Sequence, residues 1–233
     1  MATKGKQQEK DRRARVEAMR RAEKARERRR NLIFIGVALV VGLTLIGLAA
    51  WPALRGGGSS KAALATLGVS NSAASCGSVL TDPAVGNNDH KPDGTTLKYA
   101  EVPPSSGPHW GNWVFPSRGF YTDRDRPRTE QLVHNLEHGY TVLWYDSTIR
   151  GDKLDVLRNL ATAARADKAT GGKFIVSAWD DAYGKFPAGK HIALSHWGAK
   201  EGYRQLCGGI SGAAVKKFIT DYPAADSPEP NAT

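Results

Sequence analysis

The pattern of apolar and polar positions divides the chain into two unlike parts. Residues 32–54 contain no charged side chain, and such a run exceeds the roughly 20 apolar residues that a helix needs to cross a hydrocarbon layer. A cleaved signal peptide has a shorter apolar stretch, roughly 7 to 15 residues. Trp51 near the end of the run suits a membrane interface. We therefore predict one transmembrane helix over residues 32–54.

Downstream, apolar residues at helical spacing predict three helices. The longest is expected over residues 152–166. Thr129 and Gly139 suit the two ends of a helix over residues 130–138, because threonine caps helix starts and glycine follows helix ends. Residues 211–222 form the third predicted helix, with a serine as its cap.

Runs of β-branched and aromatic residues predict short strands between these helices. The strands are expected over residues 97–102, 140–145, 173–179 and 191–197. Helices interspersed with a few short strands are typical of a compact α+β domain. The prediction is thus one N-terminal transmembrane helix, then a domain with a small mixed or antiparallel sheet and about three helices.

Composition sets the boundaries between these parts. Five consecutive Gly and Ser residues at 56–60 indicate a flexible linker, and the last residues are rich in proline and expected to fray. The predicted organisation is a basic arm (1–31), the transmembrane helix (32–54), a flexible linker (55–75), an α+β domain (76–222) and a Pro-rich tail (223–233).

Charge is concentrated in the arm. Residues 1–30 hold 13 Lys and Arg against 5 Asp and Glu, whereas residues 56–233 hold 19 basic and 18 acidic residues. Basic residues flank membrane helices on the cytoplasmic side, so we expect a single-pass protein of the cell membrane with its N-terminus in the cytoplasm. The arm would contact anionic membrane lipid. The near-neutral outer domain gives no reason to expect nucleic-acid binding.

The chain has two cysteines, Cys76 and Cys207, and both fall in the predicted extracytoplasmic part. Because that environment permits oxidation, a single disulfide is the natural expectation. By chain-entropy arguments, closing so long a loop stabilises a fold by roughly 4 to 5 kcal/mol at most. The alternative is that the two cysteines are free thiols or metal ligands.

The segment His134, Glu137 and His138 carries the most chemical information. On a helix these residues lie three and four positions apart, so two imidazoles and a carboxylate converge on one face. Such a group can hold a transition metal, zinc or copper(II). His90 and His109, in turn-rich segments, are the candidates for completing the site. The alternative is that all are ordinary histidines with backbone or carboxylate partners.

The same segment matches the H-x-x-E-H motif of some zinc peptidases, in which Glu137 would act as general base. Gly139 ends the predicted helix at once, and those peptidases are much larger. The sequence therefore favours a non-enzymatic domain, with a small zinc hydrolase as the less favoured alternative. A third possibility is an interaction module that packs against another envelope protein.

Several segments together resemble the bacterial domain of unknown function 3105 family. They are residues 103–110 (PPSSGPHW), 119–121 (GFY), 132–139 (LVHNLEHG) and 142–145 (VLWY). The resemblance covers roughly residues 76–222 and implies that His90, His109, His134, Glu137 and His138 occupy the motif positions of the family. His196 stands where the family resemblance implies a small apolar residue. The family carries no established activity.

Overall fold

The computed structural model describes residues 63–115 and 117–232 together with Arg21. The chain divides into two compact units, Met1–Ser59 and Ser60–Thr233, and the second is described below. The predicted transmembrane helix, the predicted arm apart from Arg21, and residues 55–62 of the predicted linker lie outside the described residues. Among the residues that are described, no helix is long and apolar enough to cross a membrane.

The described residues of the second unit form three α-helices and eight strands. The helices are α1 (Thr129–Glu137), α2 (Asp152–Arg165) and α3 (Gly212–Asp221). The strands are β1 (Leu80–Pro83), β2 (His90–Lys91), β3 (His109–Trp110), β4 (Phe120–Tyr121), β5 (Thr141–Tyr145), β6 (Phe174–Ala178), β7 (Ile192–Trp197) and β8 (Glu201–Cys207). The α+β prediction is confirmed.

Six strands form one mixed sheet in the order β1-β8-β7-β5-β6-β4. The pairs from β1 to β5 are antiparallel, whereas β5, β6 and β4 run parallel. Parallel neighbours need a crossover connection, and α2 supplies it between β5 and β6. The separate pair β2 and β3 is parallel. Of the two predicted arrangements, the sheet is therefore mixed rather than antiparallel.

The two faces of the sheet carry different layers because successive strand residues point to opposite sides. On β5, Leu143 packs with Leu157 of α2 and Phe218 of α3 in one core cluster. Trp144, the next residue, packs with Leu136 of α1 in the other. The sheet thus lies between α2 and α3 on one side and α1 on the other.

One predicted strand was wrong, and one long strand was not predicted. Residues 97–102, all described, form no strand. The N–H of Leu97 donates to Glu130 Oε1, and the carbonyl of Val102 accepts from Arg204. These backbone groups are therefore bonded to side chains and not to a neighbouring strand. Strand β8 was not predicted because its buried positions include Gly202 and Arg204, which break an apolar alternation. Arg204 is buried against Asp82 of β1.

The tail predicted to fray is instead docked. Lys173 Nζ donates to the carbonyls of Pro230, at 2.7 Å, and Ala232, at 2.9 Å. The N–H of Glu229 donates to the carbonyl of Glu137 at 3.1 Å. These contacts fasten the tail to the C-terminal end of α1.

The predicted disulfide between Cys76 and Cys207 is confirmed. It joins the segment before β1 to the last residue of β8. The chain before it also packs on the domain, since Leu64 and Ala74 are buried and Gly68 bridges to Ser211.

Candidate metal centre

Strands β2 and β3 place two histidines side by side. His90 and His109 are direct partners in the parallel ladder, and their ring centroids are 4.9 Å apart. Helix α1 packs beside β3 and buries Leu132 and Leu136 in the core. Since residues three and four apart share a helix face, α1 brings His134, Glu137 and His138 to the ladder.

Glu137 is the centre of the cluster and is fully buried. Its Oε1 accepts a 2.6 Å hydrogen bond from the N–H of Asn88. Its Oε2 lies 3.0 Å from Nε2 of His109 and 3.8 Å from Nε2 of His90. One oxygen therefore anchors the carboxylate, and the other faces two imidazoles.

Backbone carbonyls fix the orientation of two of the rings. Nδ1 of His109 lies 2.8 Å from the carbonyl of Gly107, and Nδ1 of His134 lies 2.7 Å from the carbonyl of Trp110. A carbonyl oxygen only accepts, so each Nδ1 carries a proton and donates it. In the neutral ring Nε2 then keeps its lone pair. Metal-binding histidines are commonly held in this way.

The result is that two buried acceptors face each other. His109 Nε2 and Glu137 Oε2 are 3.0 Å apart, and within the described part of the chain neither has a hydrogen-bond partner. An imidazole lone pair and a carboxylate oxygen repel at this distance unless a positive charge lies between them. That charge can be a proton on His109 or a metal ion.

The ligand atoms of His90, His109, His134 and Glu137 all lie within 4.8 Å of one another. Ligands around a tetrahedral zinc are about 3.4 Å apart, from bond lengths near 2.0 to 2.1 Å, so closure requires shifts of about an ångström. His90 has the freedom for them because its side chain is 44% exposed. Three imidazoles and one carboxylate suit zinc or copper(II).

His138 lies on the other side of His134. Its Nε2 is 3.0 Å from His134 Nε2 and 3.4 Å from Oε2 of Glu229, and the ring of Trp113 packs against it at 5.1 Å between centroids. Burial lowers the pKa of His138 to about 4 and also lowers that of His134. Both rings are therefore neutral at neutral pH, the state that binds metal.

Charge is favoured on Glu137 despite its burial. Burial by itself raises the pKa of this carboxyl, but the adjacent His109 side chain and the hydrogen bond from the Asn88 N–H outweigh it, and the net pKa is lowered. Glu137 is therefore a buried carboxylate at neutral pH.

The five residues predicted as ligands are brought together, four in one group and His138 adjoining it. The other two histidines lie elsewhere: Nδ1 of His191 is 2.8 Å from Asp146 Oδ2, and His196 is buried against Thr141. Both rings lie outside the group.

Three contributors were missed. Asn135 holds the loop beside the site, since its side chain bonds both the N–H and the carbonyl of Val114. Lys173 and Glu229 come from distant segments. The asparagine lies inside a predicted motif, but no local pattern marks the other two.

Fold and site together define an α+β domain with a buried cluster of histidines around one carboxylate. Residues 90–233 match the family described as protein of unknown function, DUF3105, and the chain belongs to that family. No curated protein and no solved structure matches the chain.

Proposed function

We propose that this domain binds one transition metal ion, zinc or copper(II), through His90, His109, His134 and Glu137. The observation that carries the proposal is the 3.0 Å approach of His109 Nε2 to Glu137 Oε2, which are both buried and have no other hydrogen-bond partner among the described residues. A metal ion satisfies both atoms and uses the remaining imidazoles.

Energetics favour this interpretation over a purely structural cluster. A buried carboxylate without a compensating partner is costly, and a structural network would pair each acceptor with a donor. Here the donors are used to fix the rings from outside, through the carbonyls of Gly107 and Trp110. The atoms that face inward are the ligating ones.

We also propose the setting of this domain, on the outer side of a membrane and tethered through residues 32–54. The Cys76–Cys207 disulfide supports it, because disulfides persist in oxidising compartments and are rare in the cytosol. In such a setting the domain would handle or sense metal in the cell envelope, where an envelope protein is the natural partner.

The test is metal analysis and equilibrium titration of the full-length chain, purified in detergent. Wild type is expected to bind close to one Zn²⁺ or Cu²⁺ ion per chain. His90→Ala removes a ligand at a partly exposed position, so the fold survives while affinity falls by about 10- to 100-fold or more, the range found even for residues that only support ligands.

His191→Ala is the matched control, since this histidine is also partly exposed but lies beside Asp146 outside the cluster. Its affinity should equal that of wild type. Equal affinity for the metal in wild type, His90→Ala and a His109→Gln variant would overturn the proposal.

A further inference from the structure

Three of the four proposed metal ligands are almost closed off from water. His109 and Glu137 are 0% exposed and His134 is 3% exposed. A hydrated ion must exchange its water for these ligands one at a time, and moving a charge into a buried site without a partner is costly. A route with an intermediate ligand would lower that barrier.

Such a ligand pair lies beside the cluster. Oε2 of Glu229 is 3.4 Å from Nε2 of His138, which in turn is 3.0 Å from Nε2 of His134. The glutamate side chain is 33% exposed, whereas that of His138 is 6% exposed. The three side chains therefore form a graded path from solvent to a buried ligand.

We infer that Glu229 and His138 form an outer position through which the metal ion enters and leaves the buried site. This inference rests on the proposed metal site. The ion is first held by the carboxylate of Glu229 and the imidazole of His138, and then passes to His134 and the inner ligands. Each step exchanges one ligand for another, with no change in oxidation state.

The position of Glu229 is fixed rather than accidental. Its N–H donates to the carbonyl of Glu137 at 3.1 Å, so the same residue that supplies the outer carboxylate is bonded to the helix that supplies the inner one. Lys173 holds the tail on the other side, through the carbonyls of His138, Pro230 and Ala232 at 2.7 to 2.9 Å.

The charge of Lys173 does not neutralise the outer carboxylate by a direct bond. An ammonium group has three donors, and in Lys173 three backbone carbonyls accept from it. The carboxylate of Glu229 is thereby left to attract a cation. His90 is the other exposed group of the cluster, but it is itself an inner ligand and has no negative charge to attract a cation. We therefore assign the entry of the metal ion to Glu229.

The test compares the kinetics of Zn²⁺ exchange in the full-length wild type and the Glu229→Gln variant, by stopped-flow competition with a chromophoric chelator. Glutamine has nearly the same size as glutamate, and the backbone N–H of residue 229 can still donate to the carbonyl of Glu137. A transit position alters the barrier and not the end state, so both the association and the dissociation rate should fall, by about tenfold. The equilibrium affinity should change by less than about threefold, as for the loss of a nearby screened charge.

The matched control is Asp226→Asn, which removes one negative charge from the same tail at an exposed residue. Its rates should equal those of wild type. Rates in Glu229→Gln equal to those of the control would overturn the inference. Faster dissociation with weaker affinity would also overturn it, because Glu229 would then be an inner ligand. If wild type itself binds no metal, that result overturns the proposed function, and this inference with it.

Discussion

Nδ1 of His134 lies 2.7 Å from the carbonyl oxygen of Trp110, the residue that follows His109. Strand β3 therefore positions two proposed ligands, because it carries His109 itself and the carbonyl of its next residue orients the ring of His134. This hydrogen bond fixes the position of α1 relative to the β2–β3 pair. The geometry of the cluster is thus a property of the α1–β3 junction, on which the following predictions bear.

Asn135→Ala is expected to lower the free energy of unfolding by about 2 to 4 kcal/mol, because it leaves the N–H and the carbonyl of buried Val114 without partners. Denaturant unfolding of the metal-free chain measures this. Asn159→Ala, at an exposed position of α2, is the control and should stay within about 0.5 kcal/mol of wild type. Equal stability of both variants would contradict the assigned role of Asn135.

Metal binding at neutral pH should release a proton. Nε2 of His109 and Oε2 of Glu137 are 3.0 Å apart, so in the metal-free chain a proton between the two atoms satisfies both, and the metal must displace it. Calorimetric titration in two buffers with different ionisation enthalpies should then give different heats, corresponding to about one proton released. Binding with buffer-independent heat would show that the two acceptors are not bridged by a proton.

His196 should make stability depend on pH. Burial lowers its pKa to about 4, against a hydrogen bond with the Tyr140 backbone that acts to raise it. Between the unfolded value near 6.5 and about 4, the unfolded chain binds a proton that the folded chain does not. The free energy of unfolding therefore falls as pH drops through that window, by up to about 3 kcal/mol.

The check is the slope of stability against pH from 7 to 4 in wild type and His196→Ala. The variant loses packing at all pH values but should show a shallower slope, by the contribution of one histidine. His138, whose pKa is also lowered to about 4, titrates in both chains and cancels in the comparison. Parallel slopes would contradict the prediction.

Sequence patterns were sufficient for elements whose burial is periodic. Helices α1, α2 and α3 and the central strands β5, β6 and β7 were predicted, because each buries a regular face or a continuous apolar run. Strands β2 and β3 have two residues each, too few for any periodicity. Strand β8 lacks a clear apolar alternation because one of its buried residues is Arg204, whose charge is paired with that of Asp82 on the neighbouring strand.

The same distinction applies to the site. Helical spacing alone placed His134, Glu137 and His138 on one face. His90 and His109 were candidates because they lie in turn-rich segments, and the family resemblance implied the same two residues. Glu229 could not be found in this way, since it meets His138 only because the tail docks on Lys173 and on the end of α1. Contacts made by a Pro-rich segment depend on the finished surface and leave no local pattern.

The sheet separates one apolar core cluster from the proposed metal site. The side with α2 and α3 is built from apolar residues such as Leu157 and Phe218, whereas the proposed ligands all come from the side of α1. The packed core that stabilises the fold and the proposed metal site are therefore on opposite sides of the sheet in one small domain. The origin of a defect in any variant can be diagnosed by asking whether metal affinity and unfolding free energy change together or apart.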